Sequence, residues 1–445
     1  MKTMTGPVLL SACFFLTITS AAVAQQTAVT ANPPIPPVAV TVSDQVWVEG
    51  RQMGKNSFKE EDLKSKEISK EVTLPKDGEI YIENASRSIV VKTWDQPKVK
   101  VSTTIYYDGE SKLSDDEWLE KANLSLRTLG NSVKIKSGTI SGAAYRVYSS
   151  GAMTFYSSGP GNGVTVFNGS GQNIGTKSGA KRVVTVTIPA GSKIELESKY
   201  ADVTLPANIG EANIELANGN LEAENLNKLI LRSKYSNVTV GDVKNAEIEF
   251  TNGRFSARNI TDLDIDSKYS TIEMASVNKL AIRSTNDEYE LEEADEVRGR
   301  KSYGNLRITK LNRSIDVEGS NADIKIRKTA PALSLIRIDD KYADIRIPLK
   351  DTKNYSIDFT GSFSSVYGNF EKKAVAVAPD KEEPKATTEK NAELKAITVI
   401  GRATAPRLSG GWNDENNPSK FTASVGDGKG LKVEVKCQNC TVDLK

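Results

Sequence analysis

Ser198-Lys199-Tyr200-Ala201-Asp202-Val203-Thr204-Leu205 recurs as Ser233-Lys234-Tyr235-Ser236-Asn237-Val238-Thr239-Val240. It returns as Ser267-Lys268-Tyr269-Ser270-Thr271-Ile272, as Lys301-Ser302-Tyr303-Gly304-Asn305-Leu306 and as Asp340-Lys341-Tyr342-Ala343-Asp344-Ile345, and Val366-Tyr367-Gly368-Asn369-Phe370 closes the series. The first four tyrosines stand 35, 34 and 34 residues apart. Midway between them lie related turns without the aromatic: Asn218-Gly219-Asn220-Leu221, Asn252-Gly253-Arg254-Phe255 and Asn286-Asp287-Glu288. The repeating unit is therefore about 17 residues.

That period selects an architecture. It is too short for a propeller blade of roughly 40 residues, and it lacks the leucine and asparagine pattern of leucine-rich repeats. Each unit reads apolar-x-apolar, turn, apolar-x-apolar, turn, as in Ile194-x-Leu196, Ser198 to Tyr200, Val203-x-Leu205. One unit cannot bury its own apolar face, whereas units stacked about 4.8 Å apart bury each other's. The chain reads as an all-β, single-chain β-solenoid (β-helix) over residues 191–370. Ten or so coils would make a rod roughly 50 Å long.

Working outward, residues 68–190 carry short period-2 runs such as Ile80-x-Ile82, Val99-x-Val101 and Val184-x-Val186-x-Ile188, the pattern of half-buried strands. One helix is expected over 114–129, opened by the capping box Ser114-Asp115-Asp116-Glu117 and stopped by Gly130. Two insertions should be flexible: the Gly/Ser-rich loop 149–180 and the Lys/Glu/Pro-rich linker 371–395. A C-terminal β cap is expected over 396–445. Residues 25–67, with Pro33-Pro34-Ile35-Pro36-Pro37 and a charge-dense stretch, read as an extended spacer.

Residues 1–24 have the form of an export signal. Lys2 precedes an apolar stretch from Val8 to Ile18, and Ala22-Val23-Ala24 is the small-x-small pattern cleaved before Gln25. The stretch falls short of the roughly 20 residues that span a bilayer, and no other stretch reaches that length. Leu10-Ser11-Ala12-Cys13 resembles a lipobox, but the apolar run continues past Cys13. The mature chain should lack a transmembrane segment and lie in the periplasm, on the outer-membrane surface or outside the cell.

Composition excludes much chemistry. The 445 residues include no histidine, which removes Ser-His-Asp and Cys-His relays and His-ligated metals. With 59 Lys+Arg against 57 Asp+Glu there is no basic excess for a nucleic acid. No cofactor is called for. Beyond Cys13 only Cys437 and Cys440 remain, and Cys-Gln-Asn-Cys between apolar alternations reads as a turn that a disulfide bridges in an oxidising compartment.

Gly78-Glu79-Ile80-Tyr81-Ile82-Glu83-Asn84 followed by Ile89-Val90-Val91-Lys92-Thr93-Trp94-Asp95 resembles the opening of the bacterial candidate-adhesin β-solenoid proteins, a family of unknown function common among exported proteins of Bacteroidetes. The Asn-Gly and Tyr-Gly or Tyr-Ser turns, and the closing Phe421 to Lys445 with Val425-Gly426-Asp427-Gly428-Lys429-Gly430, resemble that family's body and end. The family's usual opening Gly turn is replaced here by Ala85-Ser86-Arg87-Ser88. The resemblance covers most of 68–445 and implies a cell-envelope or surface location, with no catalytic residues to carry over.

The sequence offers one candidate binding surface: a row of Tyr200, Tyr235, Tyr269, Tyr303 and Tyr342 with Lys199, Lys234, Lys268 and Lys341, on alternate coils about 10 Å apart. Such a stripe suits a glycan chain or an extended surface protein. The competing reading is packing, in which each Tyr covers a small neighbour at a corner and each Lys is merely solvated. Enzymatic alternatives rest on Asp264/Asp266 or Asp339/Asp340 as acid and base of a carbohydrate-active β-helix, and a scaffold or envelope-stress component without a ligand is a third class. No Asp-x-Asp-x-Asp loop for calcium occurs, so no metal site is expected.

Overall fold

The structure, a computed structural model, describes residues 58–139, 163–375 and 419–445, with the backbone of short strands at Val48–Glu49, Tyr145–Ser149 and Ala152–Tyr156. The export signal with Cys13 and the Ala24/Gln25 junction, most of the proline-rich spacer, the centre of the Gly/Ser-rich loop and most of the charged linker lie outside the described residues.

Between 193 and 347 the chain winds as a β-solenoid. Asn237–Thr251 pairs in parallel along its length with Arg254–Lys268, which pairs in the same way with the start of Thr271–Thr329. One coil shows why. In 237–253 the inward side chains are Val238, Val240, Val243, Ala246, Ile248 and Phe250, all buried, while Thr239, Glu247 and Glu249 alternate outward. Each buried Val, Ile or Phe contributes about 1.5–3 kcal/mol, and only a neighbouring coil can shield it. Between the two main faces of each coil the chain turns through one left-handed residue, as at Asn252 with φ 55°.

Both ends depart from sequence order. At the first end Lys193–Lys199 pairs with Glu79–Ala85, and that strand pairs with Ser132–Ser137, whose other edge is closed by antiparallel Leu124–Leu129. On the second face Ser88–Trp94 lies between Val203–Leu205 and Val183–Pro189. At the far end Leu431–Gln438 inserts between Leu335–Lys341 and Tyr355–Ser362, parallel to both. Thr441–Asp443 likewise separates Asp344–Arg346 from Ser365–Tyr367. Lys420–Val425 then closes the outer edge antiparallel to Tyr355–Ser362. The expected C-terminal cap is thus partly an internal coil, because its apolar alternation fits between two coils as well as at an end.

Four expected boundaries move. The helix is Asp115–Lys121 only: the capping box forms, but Asn123 turns left-handed at φ 52°, and Leu124 and Leu126 are inward residues of a strand rather than a helical stripe. Ordered packing reaches back before the expected 68 to buried Phe58, and Lys64–Thr73 pairs antiparallel with Lys98–Asp108, burying Ile68 and leaving its many charges outward. Within the Gly/Ser-rich region, Val164–Asn168 and Asn173–Lys177 form a hairpin whose Val164, Val166 and Phe167 are buried, an apolar set outnumbered by glycines in the sequence. Tyr367 is a strand residue, and Phe363 stands at the corner assigned to it.

Candidate functional site: the corner row

The corner position needs a left-handed backbone, which costs an ordinary L-residue roughly 1–2 kcal/mol and suits Gly or Asn. Followed through space, the corner residues start at Ser86, φ 64°, and continue as Tyr200, Asn218, Tyr235, Asn252, Tyr269, Asn286, Tyr303, Asn321, Tyr342, Asn439 and Phe363, with φ between 52° and 61°. From Tyr200 to Phe363 aromatic and asparagine alternate without a break. The order follows the coil-to-coil bonds: Tyr200 N–H donates to Ala217 O at 2.9 Å, Asn218 N–H to Lys234 O at 3.1 Å, Tyr342 N–H to Gln438 O at 2.8 Å and Asn439 N–H to Ser362 O at 2.9 Å.

Over the same span the residue after each corner sits against a neighbouring coil's backbone and is Ala, Gly, Ser or Cys, except at Asn286, where Asp287 follows with its side chain buried. A Cβ at Gly219 would lie 2.1 Å from Ala201 O, one at Gly253 1.9 Å from Ser236 O and one at Gly304 2.2 Å from Asp287 O. The aromatic rings therefore stand on a crowded backbone and turn outward: Tyr200 and Tyr235 are 64% exposed, Tyr269 61%, Tyr342 58%, Tyr303 50% and Phe363 79%. A ring that served only to cover its neighbour would be mostly hidden.

Lys199, Lys234, Lys268 and Lys341 precede their tyrosines and point to solvent. Lys199 is ion-paired with Glu197 at 2.5 Å, which together with the charge of Glu197 raises its pKa. At the fourth aromatic corner the pattern breaks: Ser302 takes the outward place, and Lys301 points into the core. On the other side of the row runs a ladder of amides and carboxylates. Asn220 Nδ2 donates to Asp202 Oδ1 at 2.8 Å, Asn237 Nδ2 to Asn220 Oδ1 at 3.2 Å and Asn305 Nδ2 to Glu288 Oε1 at 2.7 Å. At the row's first end a cleft of about 810 Å³ opens beside Tyr200 and Tyr235, with Arg182, Asp202 and Asn220 in its wall.

Behind the middle of the row lies a buried polar cluster that the sequence did not reveal. Asp287 accepts from Ser267 Oγ and Ser284 Oγ at 2.7 Å each and from Ser270 N at 2.7 Å. Lys301 Nζ donates to Asp287 O at 2.7 Å and lies 5.1 Å from the Tyr289 ring centre. Burial lowers the Lys301 ammonium to about 8 and pushes the Tyr289 phenol up. Two coils along the same inward column, past Gly319, burial raises the Asp340 carboxyl to about 7. Its neighbour in that column is Cys437, joined to Cys440 by a disulfide with Cα atoms 5.9 Å apart around Asn439.

The carboxylates considered for catalysis are accounted for otherwise. Asp264 and Asp266 both face outward and both reach Arg283, at 2.9 and 3.7 Å. Asp339 is exposed while Asp340 faces the core, so the two point to opposite sides. Among the described residues no three His, Cys, Asp or Glu side chains gather as a metal cage, and no helix is long and apolar enough to cross a membrane.

Sequence reading missed Phe363 and Asn439. The signal was present: Ser362-Phe363-Ser364-Ser365-Val366 and Gln438-Asn439-Cys440-Thr441-Val442 both repeat the order corner residue, small, polar, apolar of Tyr200-Ala201-Asp202-Val203.

A parallel solenoid with this corner grammar defines a class, the stacked-coil repeat modules. Residues 78–400 match the Toastrack DUF4097 family, and the chain belongs to it. Similar solved structures include a candidate lipid-binding protein from Parabacteroides distasonis, 11% identical, covering 61% of this chain and 96% of that one with a TM-score of 0.25. A candidate adhesin from the same organism is 14% identical over 62% and 96%, with a TM-score of 0.22. A candidate cell-adhesion protein from Clostridium sporogenes is 9% identical over 86% and 99%, with a TM-score of 0.15. No curated protein matches the chain.

Proposed function

We propose that the protein is an exported, non-enzymatic binding and adhesion module of the cell envelope, and that it lays an extended glycan along the corner row. The observation that carries this reading is the alternation itself. Asparagine meets the left-handed backbone cheaply on every second coil, so tyrosine on the others, at a cost of roughly 1–2 kcal/mol each, serves something other than the turn. Exposed rings at a pitch of two strands, about 10 Å, present flat apolar faces that stack on sugar rings. A β-1,4-linked chain shows the same sugar face at every second residue, on a repeat close to that pitch. The adjoining Asn and Asp side chains supply hydrogen bonds for hydroxyl groups, and the lysines favour an acidic polymer. Export rests on the reading of residues 1–24.

The test is a glycan array and pull-down with the full chain against a variant carrying Tyr200→Asn, Tyr235→Asn and Tyr269→Asn. Asparagine already occupies the equivalent corners, so the variant keeps the fold, checked by circular dichroism. Binding should fall at least tenfold. Undiminished binding by the folded variant would remove the row from the function.

A further inference from the structure

At its far end the solenoid holds a coil that is not connected to its neighbours in sequence. Leu431–Gln438 and Thr441–Asp443 fill a slot whose walls, Leu335–Lys341 with Asp344–Arg346 and Tyr355–Ser362 with Ser365–Tyr367, are consecutive in the chain. To pass from one wall to the other, residues 348–354 must climb two strand spacings, about 10 Å, where other coils climb one. The slot is therefore built into the backbone. Its walls pair with the inserted coil and not with each other: Lys432 N donates to Ser334 O on one side, and Leu431 N to Asn354 O on the other. The occupant brings the inward residues Val433, Val435, Cys437 and Val442, all buried, and its Asn439 supplies the corner that keeps the aromatic alternation in step. It enters the slot from Lys420–Val425, through the turn at residues 426–430, so that strand goes wherever the coil goes.

We infer that residues 420–443, the coil with the strand that leads into it, are a donor element that a second copy of this chain can supply, so that the protein forms coil-exchanged dimers. Every hydrogen bond and apolar contact of the coil is the same whichever copy provides it, and such exchange is a low-cost route to a dimer. What separates the two states is the effective concentration at which a chain presents its own donor, which falls as the connecting chain lengthens, and 43 residues lie between Val375 and Ser419. Dimers accordingly grow with protein concentration during folding and persist once formed, because release breaks two strand pairings on each face.

The experiment uses full chains with Cys13→Ser, leaving the Cys437–Cys440 disulfide intact. One chain carries Asp339→Cys and the other Lys436→Cys, outward residues that are register partners across the slot. The two are unfolded, mixed, refolded and treated with a short bismaleimide. The expected result is a cross-linked dimer at least fivefold above that from Asp339→Cys with Lys432→Cys, because Lys432 pairs with Leu335 and lies out of register. Light scattering on the unsubstituted chain, refolded from dilute to concentrated solution, should show a rising dimer fraction. A monomer at every concentration, or cross-linking equal for the two pairs, overturns the inference.

Discussion

Asp340 offers the sharpest energetic test of the core column. Its side chain is 1% exposed, Oδ1 accepts from Lys341 N at 2.6 Å, and Oδ2 is buried with no hydrogen-bond partner. The carboxyl leans over Gly319, where a Cβ would come within 1.9 Å of Oδ2, and Asp323 and Asp339 add negative charge nearby. Burial, the main cause, lifts its pKa from 3.8 to about 7. At about 1.36 kcal/mol for each tenfold change in proton affinity, that displacement corresponds to roughly 4 kcal/mol. Below pH 4 the group is neutral in both states and costs nothing. Between about 4 and 7 the unfolded chain releases the proton while the folded one keeps it, so stability falls through that window and the cost is complete above 7. Asp340→Asn keeps the shape and removes the titration. The variant should match the parent near pH 4 and exceed it by a growing margin, reaching roughly 4 kcal/mol above pH 7. Urea unfolding by circular dichroism at half-unit pH steps, with hydrogen exchange of the 335–341 amides as the local readout, measures it. Other carboxylates titrate equally in both proteins and cancel in the difference. A difference that stays flat from pH 4 to 8 refutes the reasoning, since it would mean that Asp340 ionises as freely folded as unfolded.

Two further outcomes follow from the corners. Changing Cys437 and Cys440 together to Ser releases a closed loop of only four residues, worth about 2 kcal/mol by chain entropy, so urea unfolding should show a loss of that size, and reductant should reproduce it in the parent. At Asn252, φ 55°, Asn252→Gly should be nearly neutral, whereas Asn252→Val should cost about 2 kcal/mol in thermal unfolding; equal effects would show that the corner is not held left-handed.

The solenoid was legible because its contacts are local: coil n meets coil n+1 about 17 residues on, so the period of Tyr and Asn corners states the architecture directly. Where contacts are remote, sequence pattern fails. Val433 and Val435 alternate like any coil, and nothing in them marks the pairing with Ile336 and Ile338 about a hundred residues earlier. Leu124 and Leu126 fit a helix as well as a strand until Asn123 turns left-handed. Lys301 follows Ser267 and Ser284 in an inward column and would be assigned to solvent by its type. Its burial depends on Ser284, the Asp287 carbonyl and the Tyr289 ring converging from two coils, which only the folded register brings about. The Tyr row was visible as a pattern, but whether its rings are hidden or presented is decided by the crowding of the next residue, a matter of backbone distances.

The unbroken alternation at the inserted coil separates local from assembled constraint. Had each corner residue answered only to its own turn, Asn or Gly would fill every position, and no rule would tie Asn439 to Tyr342 or Phe363. Yet these three meet in the order aromatic, amide, aromatic although 97 residues separate Tyr342 from Asn439 and the chain passes through Phe363 in between. Aromatics on adjacent coils would stand about 4.8 Å apart and stack on one another, closing their faces. Alternation doubles that distance and leaves a short polar side chain in each gap, so each ring keeps a free face with a hydrogen-bonding group beside it. That spacing is a property of the assembled edge, and it exists only when the coil from 431 to 443 occupies its slot.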